Sequence, residues 1–176
     1  MKTLILLLSP FYLFSQPCPP QGDNKRKEII AADLLKNRSW CPSKDKAIGY
    51  SFVLLGKDAI KDTGFIYVDA YITSAKISGV ESCECHIANP DYQDYHIYIS
   101  DSPTNIKKNR NQIVEVSRYS RALNPQLNFK YVKSLVGHKV RIYGYTFIDE
   151  EHKSAIGDWR MGLQEIHPVM YIDKID

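Results

Sequence analysis

The sequence lacks both a long apolar run that would cross a bilayer and a compact catalytic motif. Its most apolar stretch, from Leu4 to Phe14, has roughly a dozen apolar positions, whereas a transmembrane helix needs about 20. The metalloprotease motif HExxH, the hydrolase motif GxSxG, the dinucleotide motif GxGxxG and the phosphate-binding P-loop do not occur. No local motif therefore assigns a reaction.

The chain also lacks an excess of charge of one sign, any low-complexity tract and any internal repeat. It carries 23 Lys and Arg against 20 Asp and Glu, and loss of Lys2 with a leader would leave 22 against 20. This near-neutral balance is not typical of a protein that binds nucleic acid mainly through charge. About 160 residues after the leader suffice for one domain with its own core.

Residues 1–16, MKTLILLLSPFYLFSQ, place one Lys before an apolar run that ends in small or polar residues. This order is typical of a secretory signal peptide, and we expect cleavage near Gln16. Cys18 raises the alternative of lipid attachment, but Pro17 and the residues before it argue against that. The sequence thus predicts an exported protein without a further membrane span, located in the periplasm, on the cell surface or outside the cell.

Four cysteines, Cys18, Cys41, Cys83 and Cys85, predict disulfides in an exported chain. Proximity in sequence favours Cys18 with Cys41 and Cys83 with Cys85. The second of these bridges would be unusually tight, so the two crossed pairings stay open. A metal clip formed by Cys83, Cys85 and His86 is the alternative to disulfides.

Hydrophobic periodicity predicts one N-terminal helix, five strands and a second helix. Residues 24–36 have helical spacing behind Asp23 as the N-terminal cap, and residues 43–62 fit a short strand or a helical turn equally well. A second helix is expected between Asn124 and Gly137, with Gly144 marking a bend in the following strand. The runs with strand periodicity are residues 64–77, 94–100, 111–117, 138–149 and 161–172.

Three strands, a helix and two further strands follow one another in the order expected for an OB-fold. The fold class is therefore predicted as mainly β (α+β), a small five-stranded Greek-key barrel with a helix between its third and fourth strands and an extra N-terminal helix. The expected organisation is a signal peptide at 1–16, an N-terminal arm and helix at 17–62, and the barrel domain at 63–176.

Two loops border the usual ligand face of such a barrel, here residues 78–92 and 150–160. Their aromatic and basic residues predict an exported binding domain that recognises an extended ligand, namely a nucleic acid, a glycan or a peptide. The charge balance gives nucleic acid the weakest support of the three. The candidate ligand-binding residues are His152, Lys153, Trp159, Arg160 and Tyr98.

Three carboxylate and imidazole pairs indicate a second hypothesis, a metal-dependent hydrolase of the phosphodiesterase kind. Asp94 with His96, Asp149 with His152, and Glu165 with His167 are spaced so that each carboxylate can contact its imidazole. Here His96, His152 and His167 would bind a divalent metal, and Asp94 or Glu165 would act as the catalytic base. The same pairs are more typical of a structural polar network, and a structural envelope or complex subunit is the third hypothesis.

The segments ESCECH, DYHIYI, IVEVS, VGHKVRIYGYTFIDEEH and EIHPV follow one another between Gly64 and Ile172. In this order they resemble a group of uncharacterised bacterial exported proteins with an OB-like domain, and the patterns GxxxxDxxH and EIHP carry most of the resemblance. The resemblance implies a fold and a compartment but transfers no catalytic residue. The thermonuclease family, also exported and OB-shaped, is more distant, because its acidic calcium site and two arginines have no counterpart here, motif by motif.

Overall fold

The computed structural model of the chain describes residues 18–60, 64–104 and 108–176, so the expected signal peptide at 1–16 lies outside the described residues. None of the helices in these ranges is long and apolar enough to cross a membrane. The strands are β1 Ile48–Tyr50, β2 Phe65–Ile77, β3 Tyr95–Ser100, β4 Gln112–Val116, β5 Lys139–Ile148 and β6 Gln164–Lys174. The α-helices are α1 Lys27–Lys36, α2 Phe52–Gly56, α3 Arg118–Leu123 and α4 Phe129–Ser134.

Five strands close into a barrel in the order β2, β3, β4, β6, β5, and β5 pairs back onto β2. β4 and β6 run parallel, with Val114 opposite Ile166, while the other neighbours in the barrel are antiparallel. The short β1 lies outside this ring and pairs in parallel with β2. The prediction of a small, mainly β, OB-like barrel is confirmed.

The long strand β2 belongs to both sides of the barrel. Its first half pairs with β5, and its second half pairs with β3 beyond a register shift between Ile72 and Ser74. Alternate side chains of β2 point into the core, because successive residues of a strand face opposite sides of the sheet. The core-facing side chains of β2 are Ile66, Val68, Ala70 and Ile72, each at most 2% exposed.

The barrel interior is filled by branched aliphatic side chains from the five strands and from the segment between β4 and β5. Leu127 and Leu135 reach into this core from that segment, as the helical spacing predicts. Such close-packed burial is the main favourable contribution to folding. The other core residues that are fully buried are Leu55, Ile97, Ile99, Val114, Val116, Val132, Val140, Ile142, Ile166 and Val169.

The helix α1 packs on the domain through polar side chains, which corrects the expectation that its apolar face is buried. Lys36 is 8% exposed and its Nζ lies 3.1 Å from Glu81 Oε2, while Leu34 and Leu35 are 47% and 37% exposed. The expected cap is also wrong. The helix starts after Arg26 without a side-chain cap, and the Asp23 carboxylate lies 3.1 Å from His86 Nδ1 instead.

The segment between β4 and β5 is broken into short pieces instead of the single predicted helix. The Asn124 side chain accepts a hydrogen bond from Gln126 N and caps a 3-10 turn, and Asn128 then caps α4. The preceding helix α3, capped by Ser117, was not predicted. Residues 43–62 contain both alternatives that the sequence left open, the strand β1 and the helical turn α2.

One disulfide joins Cys18 to Cys85 and ties the N-terminal arm to the loop between β2 and β3. Cys41 and Cys83 are free thiols, so the pairing by sequence proximity is wrong and a crossed bridge is present. The physical reason is that the arm runs beside the loop, where Asn37 Nδ2 donates to Cys83 O at 2.8 Å. The bridge uses the Cys85 sulfur, which the metal clip would need, and the Cys18 sulfur, which a lipid anchor would need.

Candidate functional site

A groove of about 700 Å³ opens on the face of the barrel formed by β2 and β3. The loop between β5 and β6, residues 149–163, forms its far side with His152 and Trp159. The other predicted rim, residues 78–92, contributes no residue to the described lining. The groove is lined by Thr73, Ser74, Lys76, His96, Tyr98, Asn111, His152 and Trp159.

Three aromatic rings, the aromatic trio Tyr98, His152 and Trp159, dominate the groove wall. The ring centroid of Trp159 lies 6.2 Å from that of Tyr98 and 5.9 Å from that of His152, in edge-to-face geometry in both cases. Lys76 Nζ lies 5.4 Å from the Tyr98 ring centroid. The structure thus brings together three of the five candidate ligand-binding residues.

Arg160, the fourth candidate, is fully buried and organises the loop from inside instead of facing the groove. Its Nη1 donates to Asp149 Oδ2 at 2.8 Å and lies 2.9 Å from Glu165 Oε1. Its other nitrogens donate to the carbonyl oxygens of Gly162 and Leu163. A guanidinium presents five donors in a fixed planar fork, which suits a side chain that holds several chain segments together.

Asp149 links this buried arginine to the groove, because its Oδ2 also lies 2.5 Å from His152 Nδ1. Burial alone would raise the pKa of Asp149, but His152 and Arg160 hold it below its usual range. The carboxylate fixes the orientation of the imidazole. Lys153, the fifth candidate, is exposed, forms an ion pair with Glu150 and does not line the groove.

Behind the groove lies a charge cluster of carboxylates and imidazoles, defined by Glu81, Asp94, His96, Glu115, Glu165 and His167. Glu115 on β4 is its centre: its Oε1 lies 3.0 Å from His96 Nε2, and its Oε2 lies 3.4 Å from His167 Nδ1. The other nitrogen of His167 lies 3.0 Å from Asp94 Oδ2. Glu81 Oε1, from the loop between β2 and β3, lies 3.6 Å from the same nitrogen of His96.

Both imidazoles of the cluster are held in the charged form. Burial alone would lower the pKa of His96, but the carboxylates of Glu115 and Glu81 raise it to about 11. Burial likewise opposes the charge of His167, and the carboxylates of Glu115, Asp94 and Glu165 raise its pKa to about 10. The reason is that an opposite charge within hydrogen-bonding distance stabilises the ionised form more than burial destabilises it.

Two carboxyl groups at the margin of the cluster also have raised pKa values, which in their case favour the neutral form. Burial and the neighbouring Glu115 charge raise the pKa of Glu165 to about 7. Burial and the Asp94 charge raise the pKa of Glu84 to about 8. Crowding of like charges in a buried region has this effect, because the second negative charge is disfavoured.

The candidate catalytic acids Asp94 and Glu165 lie inside this cluster, 1% and 2% exposed, and neither lines the groove. Asp94 pairs with His167 instead of the expected His96, because it precedes β3 and does not share that strand's alternation. Glu165 lies 3.9 Å from His167 Nδ1, farther away than Glu115. The pairing of Asp149 with His152 matches the expectation.

The predicted histidine trio is not gathered in one place. Among the described residues, two groups offer three ligand atoms within 4.8 Å of one another, Glu81 with His96 and Glu115, and Asp94 with Glu115 and His167. His152 belongs to neither group. Glu81 and Glu115 were missed by sequence reasoning; the signal for Glu115 is that β3 and β4 place it directly opposite His96.

A second cavity of about 550 Å³ lies between α1 and the end of β5. Leu35, Phe147 and Ile148 line it together with charged residues of α1 and of the following loop. No imidazole lies among its described lining residues. The groove is therefore the better candidate for a functional site.

Comparison of the chain with protein-family models gives no match, and comparison with curated proteins gives none.

Proposed function

We propose that this chain is an OB-like binding domain that holds a segment of an extended glycan in the groove. The observation that carries the proposal is the aromatic trio on the ligand face of the barrel. Small OB barrels bind oligosaccharides and oligonucleotides on this face, between the loops that border it. Trp159 and His152 come from one of those loops, and Tyr98 comes from the strand beneath them.

The chemistry of the lining favours a glycan. Aromatic faces pack against the apolar C–H faces of sugar rings, and Tyr, Trp and His add polar groups at their edges. Hydroxyl and amide side chains of Thr73, Ser74 and Asn111 also line the groove, where sugar hydroxyls would contact them.

Charge argues against a polyanionic ligand. Lys76 is the single Lys or Arg among the described lining residues, and the acid-rich charge cluster lies directly behind His96. Binding of single-stranded nucleic acid combines aromatic stacking with a basic groove that follows the phosphates. The groove supplies the aromatic rings but not the row of basic residues that would follow the phosphates.

Export fits the same proposal. The Cys18 to Cys85 disulfide supports an oxidising compartment, because disulfides persist mainly outside the cytosol. We propose that the chain is secreted through its N-terminal leader and meets glycans of the envelope or of the surroundings.

The two tryptophans of the sequence make the proposal testable by fluorescence. In a Trp40→Phe variant, Trp159 is the only tryptophan left, and Trp40 lies at a separate cavity. We expect a saturable change in Trp159 emission on titration with at least one of the chito-, cello- or malto-oligosaccharides, and none with single-stranded oligo(dT). Trp159→Ala lacks the reporting tryptophan, so its binding is measured by titration calorimetry beside the wild type. It should bind that sugar at least about tenfold more weakly, equivalent to about 1.4 kcal/mol.

Trp40→Ala is the matched control, because it removes the other, exposed tryptophan and should leave the dissociation constant unchanged. Binding of oligo(dT) in preference to every sugar would replace the glycan by a nucleic acid. Absence of saturable binding across the whole panel, or equal binding by Trp159→Ala, would overturn the proposal.

A further inference from the structure

His96 lines the groove without being part of the aromatic trio, and its imidazole also contacts two carboxylates. The imidazole lines the groove on one side and faces the charge cluster on the other. Its Nε2 lies 3.0 Å from Glu115 Oε1 and 3.6 Å from Glu81 Oε1. One nitrogen and two carboxylate oxygens from three different chain segments therefore converge on one point.

At this convergence the His96 Nε2 atom is buried and makes no well-aligned hydrogen bond, although both carboxylate oxygens lie close to it. A buried polar group left without a partner costs free energy, and an ion is one of its ordinary explanations.

In the described ranges, Glu115 and Asp94 form ion pairs with histidines alone. Because the His96 imidazole is charged, a metal cation bound at Nε2 would displace the proton of that nitrogen and keep a positive charge between Glu81 and Glu115.

We propose that Glu81, His96 and Glu115 bind a divalent first-row transition-metal cation. Imidazole nitrogen with carboxylate oxygen is a donor set suited to Zn²⁺ and related ions. Two donor atoms each about 2.1 Å from one tetrahedral ion are about 3.4 Å apart. The separations of 3.0 and 3.6 Å from His96 Nε2 lie on either side of that value, so small side-chain movements would complete the site.

Both carboxylate ligands are held in place by contacts to their second oxygen atoms. His167 stands between Glu115 and Asp94, with Nδ1 3.4 Å from Glu115 Oε2 and Nε2 3.0 Å from Asp94 Oδ2. Lys36 Nζ holds the second oxygen of Glu81 at 3.1 Å. Ligands of protein metal sites are regularly oriented by such outer contacts, so His167 is a positioning residue for Glu115.

Three protein ligands leave a tetrahedral ion one open position, as in catalytic zinc sites. The ring of His96 also lines the groove, so the bound ion would lie next to the groove wall. The inference goes beyond the proposed glycan binding and does not depend on it, since the metal can be tested without any organic ligand.

The test is metal binding by the mature chain, purified without a histidine tag and freed of metal with a chelator. Titration calorimetry with Zn²⁺, followed by elemental analysis after gel filtration, should give about one bound equivalent. Co²⁺ should give visible absorption bands of a low-symmetry site. We expect His96→Ala and Glu81→Gln each to weaken Zn²⁺ binding at least about tenfold.

His138→Ala is the matched control, because this histidine is exposed and pairs with Asp176 far from the cluster in sequence. Glu81 is a quarter exposed, so Glu81→Gln keeps the test valid even if a buried variant such as Glu115→Gln does not fold. Far-ultraviolet circular dichroism checks the folding of each variant. No saturable binding of Zn²⁺ or Co²⁺ by the wild type, or unchanged binding by folded His96→Ala, would overturn the inference.

The two proposals fail separately. A chain that binds sugar but no metal removes the inference and keeps the proposed function. A chain that binds metal but none of the sugars keeps the inference and removes the proposed function.

Discussion

His96 on β3 and Glu115 on β4 are directly opposite each other in the antiparallel ladder, and His96 Nε2 lies 3.0 Å from Glu115 Oε1. Cross-strand neighbours on one face of a sheet have side chains within contact distance, so this pair is dictated by the strand register. The register therefore joins the groove, which His96 lines, to the buried charge cluster, which Glu115 centres.

Arg160 should be one of the most sensitive positions of the fold. Arg160→Met would leave Asp149 and Glu165 buried without their cation, and we expect a loss of about 3–5 kcal/mol in the free energy of unfolding. Urea unfolding followed by circular dichroism measures this change. Arg110→Met is the control: it removes an exposed ion pair with Asp101 and should change stability by about 0.5 kcal/mol or less. Similar values for the two variants would contradict the role given to Arg160.

The Cys18 to Cys85 disulfide closes a sequence separation of 67 residues. Replacing both cysteines by Ser should lower the free energy of unfolding by about 2–4 kcal/mol, mainly because the unfolded chain gains freedom. Cys41→Ser changes a partly buried free thiol and serves as control. If Cys41→Ser costs as much as the double variant, or if peptide mapping finds Cys41 in a bridge, the pairing described here is wrong.

Much of the barrel could be predicted from the sequence because strand periodicity is a local property. β2 alternates buried and half-exposed residues over most of its length, and the order of the strands along the chain limits the topology. The same local information failed for α1. Its apolar residues predict the buried face, yet the contact of Lys36 with Glu81, 45 residues away, decides which face is buried.

The candidate site was predictable in part for the same reason. Trp159 and His152 could be predicted because they lie in the loop between the last two barrel strands, which borders the usual ligand face. Glu81 and Glu115 were missed because spacing within a strand shows which residues share a face, but not which residue of another strand lies opposite. The burial of Arg160 was missed because it depends on contacts with Asp149 and Glu165, which only the folded loop between β5 and β6 brings together.

Gly144 is predicted to be intolerant of any side chain. It lies in β5 where the register with β6 shifts, and a Cβ there would come 2.5 Å from Pro168 O and from Ile166 Cγ2. Gly144→Ala should therefore cost about 1–3 kcal/mol, as overpacking of a core does. Gly79→Ala is the control, because nothing lies within 4 Å of its Cβ position. Equal thermal midpoints for the two variants would exclude this crowding.

The Asp149 carboxylate should make stability depend on acid pH. Its pKa is lowered in the folded chain, because His152 and Arg160 outweigh the effect of burial, so the unfolded chain binds the proton more tightly. The stabilisation is therefore complete above the unfolded pKa of about 3.9 and is lost as the pH falls below it through the folded value. Glu165, which shares Arg160, is the other carboxyl group that faces this contact.

Asp149→Asn tests this dependence by urea unfolding at several values of pH. The variant should be less stable than the wild type at pH 5 to 7, and the difference should shrink as the pH is lowered from about 4 towards 2. Asp91→Asn, which removes an exposed carboxylate from another loop, provides the comparison. A stability difference for Asp149→Asn that stays constant over this range would show that the contact of Asp149 with Arg160 and His152 does not favour the ionised carboxylate. The loop that carries Trp159 would then be held by the other contacts of Arg160, to Glu165 and to the carbonyl oxygens of Gly162 and Leu163.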